Sequence, residues 1–145
     1  MAEHTFLFRE GVWRAEGEYY DGAGTRTEVE GEAHIRHYPD KWVSESVMRT
    51  RAARPVETRS LYDIHPFAPG NLTTSWSSKS ASLGTLHGRF LLVGDTVLSV
   101  YESATGRYRG YESVQRRDKS HYSARGALFD GGKLLSAWAV ELRLA

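Results

Sequence analysis

The chain has 145 residues, a length that suits one domain, and no cysteine, which excludes disulfides and thiolate-metal sites. Lysine plus arginine number 19 and aspartate plus glutamate 18, so a net charge of +1 excludes an overall pull toward nucleic acid or anionic lipid. The 14 glycines, 4 prolines and 12% aromatic residues point to a sheet protein with tight turns.

Met1 to Arg9 lacks the basic-then-apolar order of a secretory signal. No apolar run approaches the roughly 18 residues of a membrane span. A cytoplasmic protein without membrane insertion is the resulting expectation. The stretch before Gly11, where Phe6, Leu7 and Phe8 cluster, is the one helical candidate and is otherwise an irregular lead-in.

From there the chain alternates with period two. Val12 to Tyr20 sets Trp13, Ala15, Gly17 and Tyr19 against Arg14, Glu16 and Glu18. After the turn at Asp21 to Gly24, Thr27, Val29, Gly31, Ala33, Ile35 and His37 oppose Arg26, Glu28, Glu30, Glu32, His34 and Arg36. A helix would scatter those glutamates over different faces. Tyr38 to Lys41 turns the chain into a strand whose inner face is Trp42, Ser44, Ser46 and Met48. Past Ala53-Arg54-Pro55, Val56, Thr58, Ser60, Tyr62 and Ile64 form one face. After the break at Pro66 to Asn71 come Leu72, Thr74, Trp76 and Ser78, and then Leu86, Gly88, Phe90 and Leu92. The strands over Thr96 to Ser103 and Tyr108 to Arg116 show no clear face. Tyr122, Ala124, Gly126 and Leu128 share a face in the next strand, and Trp138 is assigned inward in the last.

About ten strands joined by short turns predict an all-β fold, an antiparallel up-and-down barrel over residues 1–145 as one domain. Closing the sheet removes its aggregation-prone edges, which favours a barrel over an open sheet; a two-sheet sandwich is the alternative.

Gly11-Val12-Trp13 at the start of the first strand and Arg143 near the end of the last resemble the calycins, the lipocalin and fatty-acid-binding barrels. The resemblance spans the chain as architecture and rests on those three residues as motif; the Thr-Asp-Tyr type lipocalin loop signature is absent. It implies a ten-stranded barrel that holds a small, mostly apolar ligand, with Arg143 packed on Trp13.

The inferred inner face mixes Trp13, Tyr19, His37, Trp42, Met48, Tyr62, Trp76 and Trp138 with small and hydroxylated residues such as Ala15, Gly31, Ser44, Ser46, Ser60 and Thr74. A filled core is built from Leu, Ile, Val and Phe, whereas this mixture leaves volume and hydrogen-bonding capacity. Trp13, Tyr19, His37, Trp42, Ser44, Ser46, Met48, Tyr62 and Trp76 are therefore the candidate ligand-binding residues. Aromatic rings would supply apolar area, and His37, Ser44, Ser46 and Tyr62 would orient polar groups. In the competing reading, the serines bond backbone in tight corners of a filled barrel that serves as an interaction domain.

The six histidines have no metal-site spacing, and no metal is expected. His37 alone faces inward, either satisfied by a local bond or acting as ligand anchor or general base. Related barrels that bind haem through one histidine raise His37 or His65 as an axial ligand, but Pro66 explains His65 more simply as a turn, and no cofactor is expected. Nucleophile-elbow, phosphate-loop and dinucleotide motifs are missing. An enzyme of lyase or isomerase type would need one inward acid or base. Besides His37, Glu102 and Glu112 qualify only if they face inward, and exposure is the simpler expectation for both.

Arginines at 49, 51, 54, 59, 107, 109, 116 and 117 alternate with glutamates, which reads as a solvated face with cross-strand ion pairs rather than a nucleic-acid surface. An anion-binding mouth is an intermediate possibility. Val43 and Val47 form an outward apolar pair, so a homo-oligomer stays open.

Overall fold

The computed structural model describes residues 3–145. Ten antiparallel strands run in order: β1 (Gly11–Asp21), β2 (Arg26–His37), β3 (Trp42–Thr50), β4 (Glu57–Ile64), β5 (Thr73–Ser80), β6 (Gly84–Val93), β7 (Thr96–Ser103), β8 (Tyr108–Asp118), β9 (His121–Asp130) and β10 (Lys133–Leu144). Each strand pairs with its neighbours in sequence, and β1 pairs with β10 to close the barrel. Short hairpins dictate most of this order, and closure leaves no strand without a neighbour on both sides. The expected all-β, up-and-down barrel of ten strands is the observed fold.

The β4–β5 pairing is the shortest, running only from Leu61↔Lys79 to Ile64↔Trp76. Residues 57–60 of β4 therefore pair with β3 alone.

One end of the barrel is plugged by the lead-in, which is irregular: a turn at Phe6–Phe8 closed by Arg9 N–H donating to Thr5 O. Leu7 is buried at 2% exposure and takes the left-handed conformation, φ 71°, which costs a non-glycine residue about 1 kcal/mol or more. Burial of its side chain offsets that strain. Phe6 meets Trp13 edge-on at 5.5 Å, and Trp13 meets Tyr122 edge-on at the same distance. Phe8 packs on Trp42 and Phe67. Polar ties hold the plug: Thr5 N–H donates to Tyr122 Oη, and Thr5 Oγ1 donates to Lys119 O. His4 Nε2 lies 3.0 Å from Gly94 O and so carries the proton, leaving Nδ1 to accept from Tyr122 Oη.

Two expectations are corrected. Arg143 does not pack on Trp13. It is exposed and sits opposite Arg14 and His121 on the outer wall, while Phe6 and Tyr122 cover Trp13. Val43 and Val47 point outward but are no exposed row. Their neighbours across β2 and β4 are long polar chains, among them Arg36, Glu32 and Arg59, and both valines are buried. Exposed apolar residues of the outer wall include Leu61 on β4 and Leu91, Val100 and Tyr111 on β6–β8.

The cross-strand ion pairs expected of the outer wall are present. Arg49 reaches Glu32 at 2.8 Å and Glu57 at 3.2 Å, and Arg107 reaches Asp130 at 3.0 Å.

Candidate functional site

Burial of the inward positions changes along the barrel axis. Near the plug they are closed: Trp13, Ile35, Ile64, Val97, Val114 and Tyr122 are each at most 4% exposed. Toward the other end, inward Ser46, Met48, Ser60, Tyr62, Tyr101, Glu112, Gly126 and Trp138 all keep accessible surface although they point into the barrel. The interior is thus sealed around the plug and more accessible toward the other end, here called the open half, although Val29, Ser78, Leu86, Ser103 and Ser136 are buried there too. The unpaired stretch of β4, whose Thr58 is exposed, borders the open end.

Three aromatic rings in the interior lie over glycines directly across the sheet: Trp76 over Gly88, Tyr101 over Gly110 and Trp138 over Gly126. A Cβ at any of these glycines would overlap the ring. The missing side chain lets the ring lie flat on the wall, and the ring covers backbone that glycine leaves bare. Tyr62 meets Trp76 edge-on at 5.1 Å, and Trp76 contacts Tyr101 at 5.4 Å. The result is an aromatic lining on the inner wall of the open half.

Into this lining points Glu112. Its register on β8, opposite Ser99 and Gly126, sets it inward. Trp138 Nε1–H donates to Glu112 Oε2 at 2.7 Å. Burial pushes the Glu112 carboxyl above its ordinary range, and the Trp138 bond opposes this only in part. Burial likewise pushes the Tyr62 phenol up to about 12, reinforced by Glu112 and eased by the Ser60 hydroxyl. Tyr101 is shifted up for the same two reasons, burial first and Glu112 second. Both phenols are therefore neutral donors near neutral pH. The expectation that Glu102 and Glu112 are both exposed holds for Glu102, which pairs with Arg109 on the outer wall, and fails for Glu112.

The candidate residues divide between the two halves. Ser46, Met48, Tyr62 and Trp76 border the open half, with Tyr19 at its rim, 38% exposed. Ser44 is buried one inward position nearer the plug. Trp13, His37 and Trp42 belong to the plug. His37 stacks on Trp42 at 4.3 Å with 12° between the rings, and its Nε2 donates to Leu7 O at 2.7 Å. His65 is exposed, with Nδ1 beside Pro66 O. Neither histidine reaches the open half. Tyr101, Glu112 and Trp138 are the members that the candidate set lacked.

One outer cluster has the composition of a nucleophile–base–acid set without its connectivity. Ser123 Oγ donates to Glu141 at 2.7 Å and His121 Nε2 lies 2.8 Å from the same carboxylate oxygen, so glutamate, not histidine, receives the serine proton. Arg117 and Arg125 complete this wall network. Among the described residues no group of three or more His, Asp or Glu is placed to hold a metal ion.

No family model matches the chain, and no curated protein sequence matches it. Among solved structures it is similar to the S-type phycobiliprotein lyase of Guillardia theta, at 11% identity over 97% of this chain and 90% of that one, with a TM-score of 0.67. A de novo designed fluorescence-activating β-barrel aligns over 100% of both chains at 16% identity with a TM-score of 0.47. The likeness to the lyase concerns the fold alone.

Proposed function

We propose that this chain binds a small, amphipathic, largely apolar molecule in the open half of its barrel. The observation that carries this reading is the contrast between the sealed inward positions near the plug and the accessible ones around Tyr62, Tyr101, Glu112 and Trp138. Aromatic walls with a few polar groups suit such a ligand. Titration with a neutral solvatochromic dye, Nile red, tests it: saturable binding with a blue-shifted emission is expected, and no binding would overturn the reading.

Glu112 favours a second reading, an enzyme of lyase or isomerase type in which this carboxyl moves a proton on the bound molecule. Mass spectrometry of a bound molecule before and after incubation separates the two, because a binding protein returns it unchanged.

A further inference from the structure

Among the described residues, Glu112 is the one carboxylate that points into the open half, and no cationic side chain points there to match it. The causes acting on the Glu112 carboxyl are burial and the Trp138 indole, with no lysine, arginine or histidine among them. The other groups facing it are the neutral phenols Tyr62 and Tyr101. Arg116 also points inward from β8, opposite Tyr122, but it lies four residues further toward the plug, about 13 Å along the strand. Three arginines around the open end are engaged outside the barrel, Arg26 with Glu18, Arg51 with Glu16 and Arg107 with Asp130, and Lys79 and Lys133 at this end are exposed.

A carboxylate that is partly desolvated and has no cationic partner is a costly arrangement, and a bound cation would offset that cost. The surroundings fit that partner. Glu112 Oε2 accepts from Trp138, and no described residue donates to Oε1. Tyr62, Trp76, Tyr101 and Trp138 present ring faces and edges around the same space. Aromatic faces attract cations, and most strongly where water is excluded. An anionic head would meet the carboxylate with like charge and no compensating cation. A neutral alcohol would gain a hydrogen bond without the charge.

From the unmatched Glu112 carboxylate within an aromatic lining, we infer that the barrel selects organic cations, amines or ammonium groups carried on an apolar body. This rests on the proposed binding function and narrows its ligand class. The cationic head sits against Glu112, and the apolar body occupies the space toward Met48 and the rim at Tyr19.

The test is displacement of Nile red from the intact chain by four competitors that share a decyl tail: decylamine, decyltrimethylammonium, decanol and decanoate. The cationic pair should displace the dye at concentrations about tenfold or more below decanoate, with decanol between them. In Glu112→Gln, which keeps an acceptor for Trp138, the preference for cations should collapse, with the four competitors ranked against the variant's own Nile red affinity. Equal or better displacement by decanoate in the unmodified chain would overturn the inference while leaving the pocket intact. So would a preference that survives Glu112→Gln. If that variant does not fold, the ranking of the four competitors in the unmodified chain decides alone. Failure of Nile red to bind at all would remove the pocket, and the inference with it.

Discussion

Trp138 and Glu112 are joined across β9: the indole lies flat over Gly126 and donates Nε1–H to the carboxylate at 2.7 Å on the far side. One glycine thus allows an aromatic wall and an acidic group to be placed together on the inner face of three neighbouring strands. The proposed site depends on this arrangement, and so do several measurable properties.

Glu112 should cost stability at neutral pH. Its carboxyl is raised by burial above an ordinary value of 4.5, so the folded chain holds that proton more tightly than the unfolded chain. Below the unfolded value both states are protonated and no penalty exists. As pH rises through the folded value, ionisation penalises the folded state. Glu112→Gln should therefore raise the urea midpoint at about pH 8 and lose that advantage toward about pH 4. A variant that is less stable than the unmodified chain at the higher pH would contradict this.

Gly126→Ala should destabilise the chain by about 1–3 kcal/mol, because the new methyl overlaps the Trp138 ring and drives it off the wall. Gly132→Ala, where a Cβ meets nothing, serves as the control and should change little. Urea denaturation of the pair checks both, and equal midpoints would refute the close approach.

His37 and Tyr62 should separate stability from binding. His37→Ala removes the bond to Leu7 O and the stack on Trp42, so the chain should lose about 1–2 kcal/mol while Nile red affinity stays within about twofold. Tyr62→Ala removes a ring from the open half and should weaken the dye by about tenfold. Paired denaturation and dye titrations read both effects. A large loss of affinity in His37→Ala would place the ligand at the plug.

The Tyr122 hydroxyl accepts from Thr5 N–H and donates to His4 Nδ1, so Tyr122→Phe should loosen the lead-in without emptying the core. The expected cost is about 1–2 kcal/mol, with faster hydrogen exchange at the Thr5 amide. Unchanged exchange at Thr5 would show that the plug is held by apolar packing alone.

Strand faces were legible wherever charge alternated with small or apolar residues, as in Arg26 to His37. Height along the barrel was not, because alternation reports which side of the sheet a residue is on and nothing about which end it occupies. Trp13, His37 and Trp42 consequently read as pocket walls, although Phe6, Leu7 and Phe8 fill the space in front of them. The facing of Glu112 was hidden for a different reason. Outward Leu98, Val100 and Tyr111 are as apolar as inward Val97, Tyr101 and Val114, so β7 and β8 carry no binary pattern. Counting back from the hairpin at 104–107 places Tyr101 opposite Gly110, the same aromatic-on-glycine pairing as Trp76 with Gly88. That repeat is the signal that would have set Glu112 inward. The exposed Arg143 shows the limit of a three-residue motif, since its even-odd position puts it on the outer wall.

The four tryptophans divide evenly between the two halves of the barrel, Trp13 and Trp42 in the plug and Trp76 and Trp138 at the open half. Their indole N–H resonances, followed in a nitrogen-correlated NMR spectrum during titration with decyltrimethylammonium, report directly where a ligand sits. Binding in the open half predicts that the Trp138 and Trp76 signals move together and saturate, while Trp13 and Trp42 stay in place. Movement of Trp13 and Trp42 instead, or of none of the four, would contradict it.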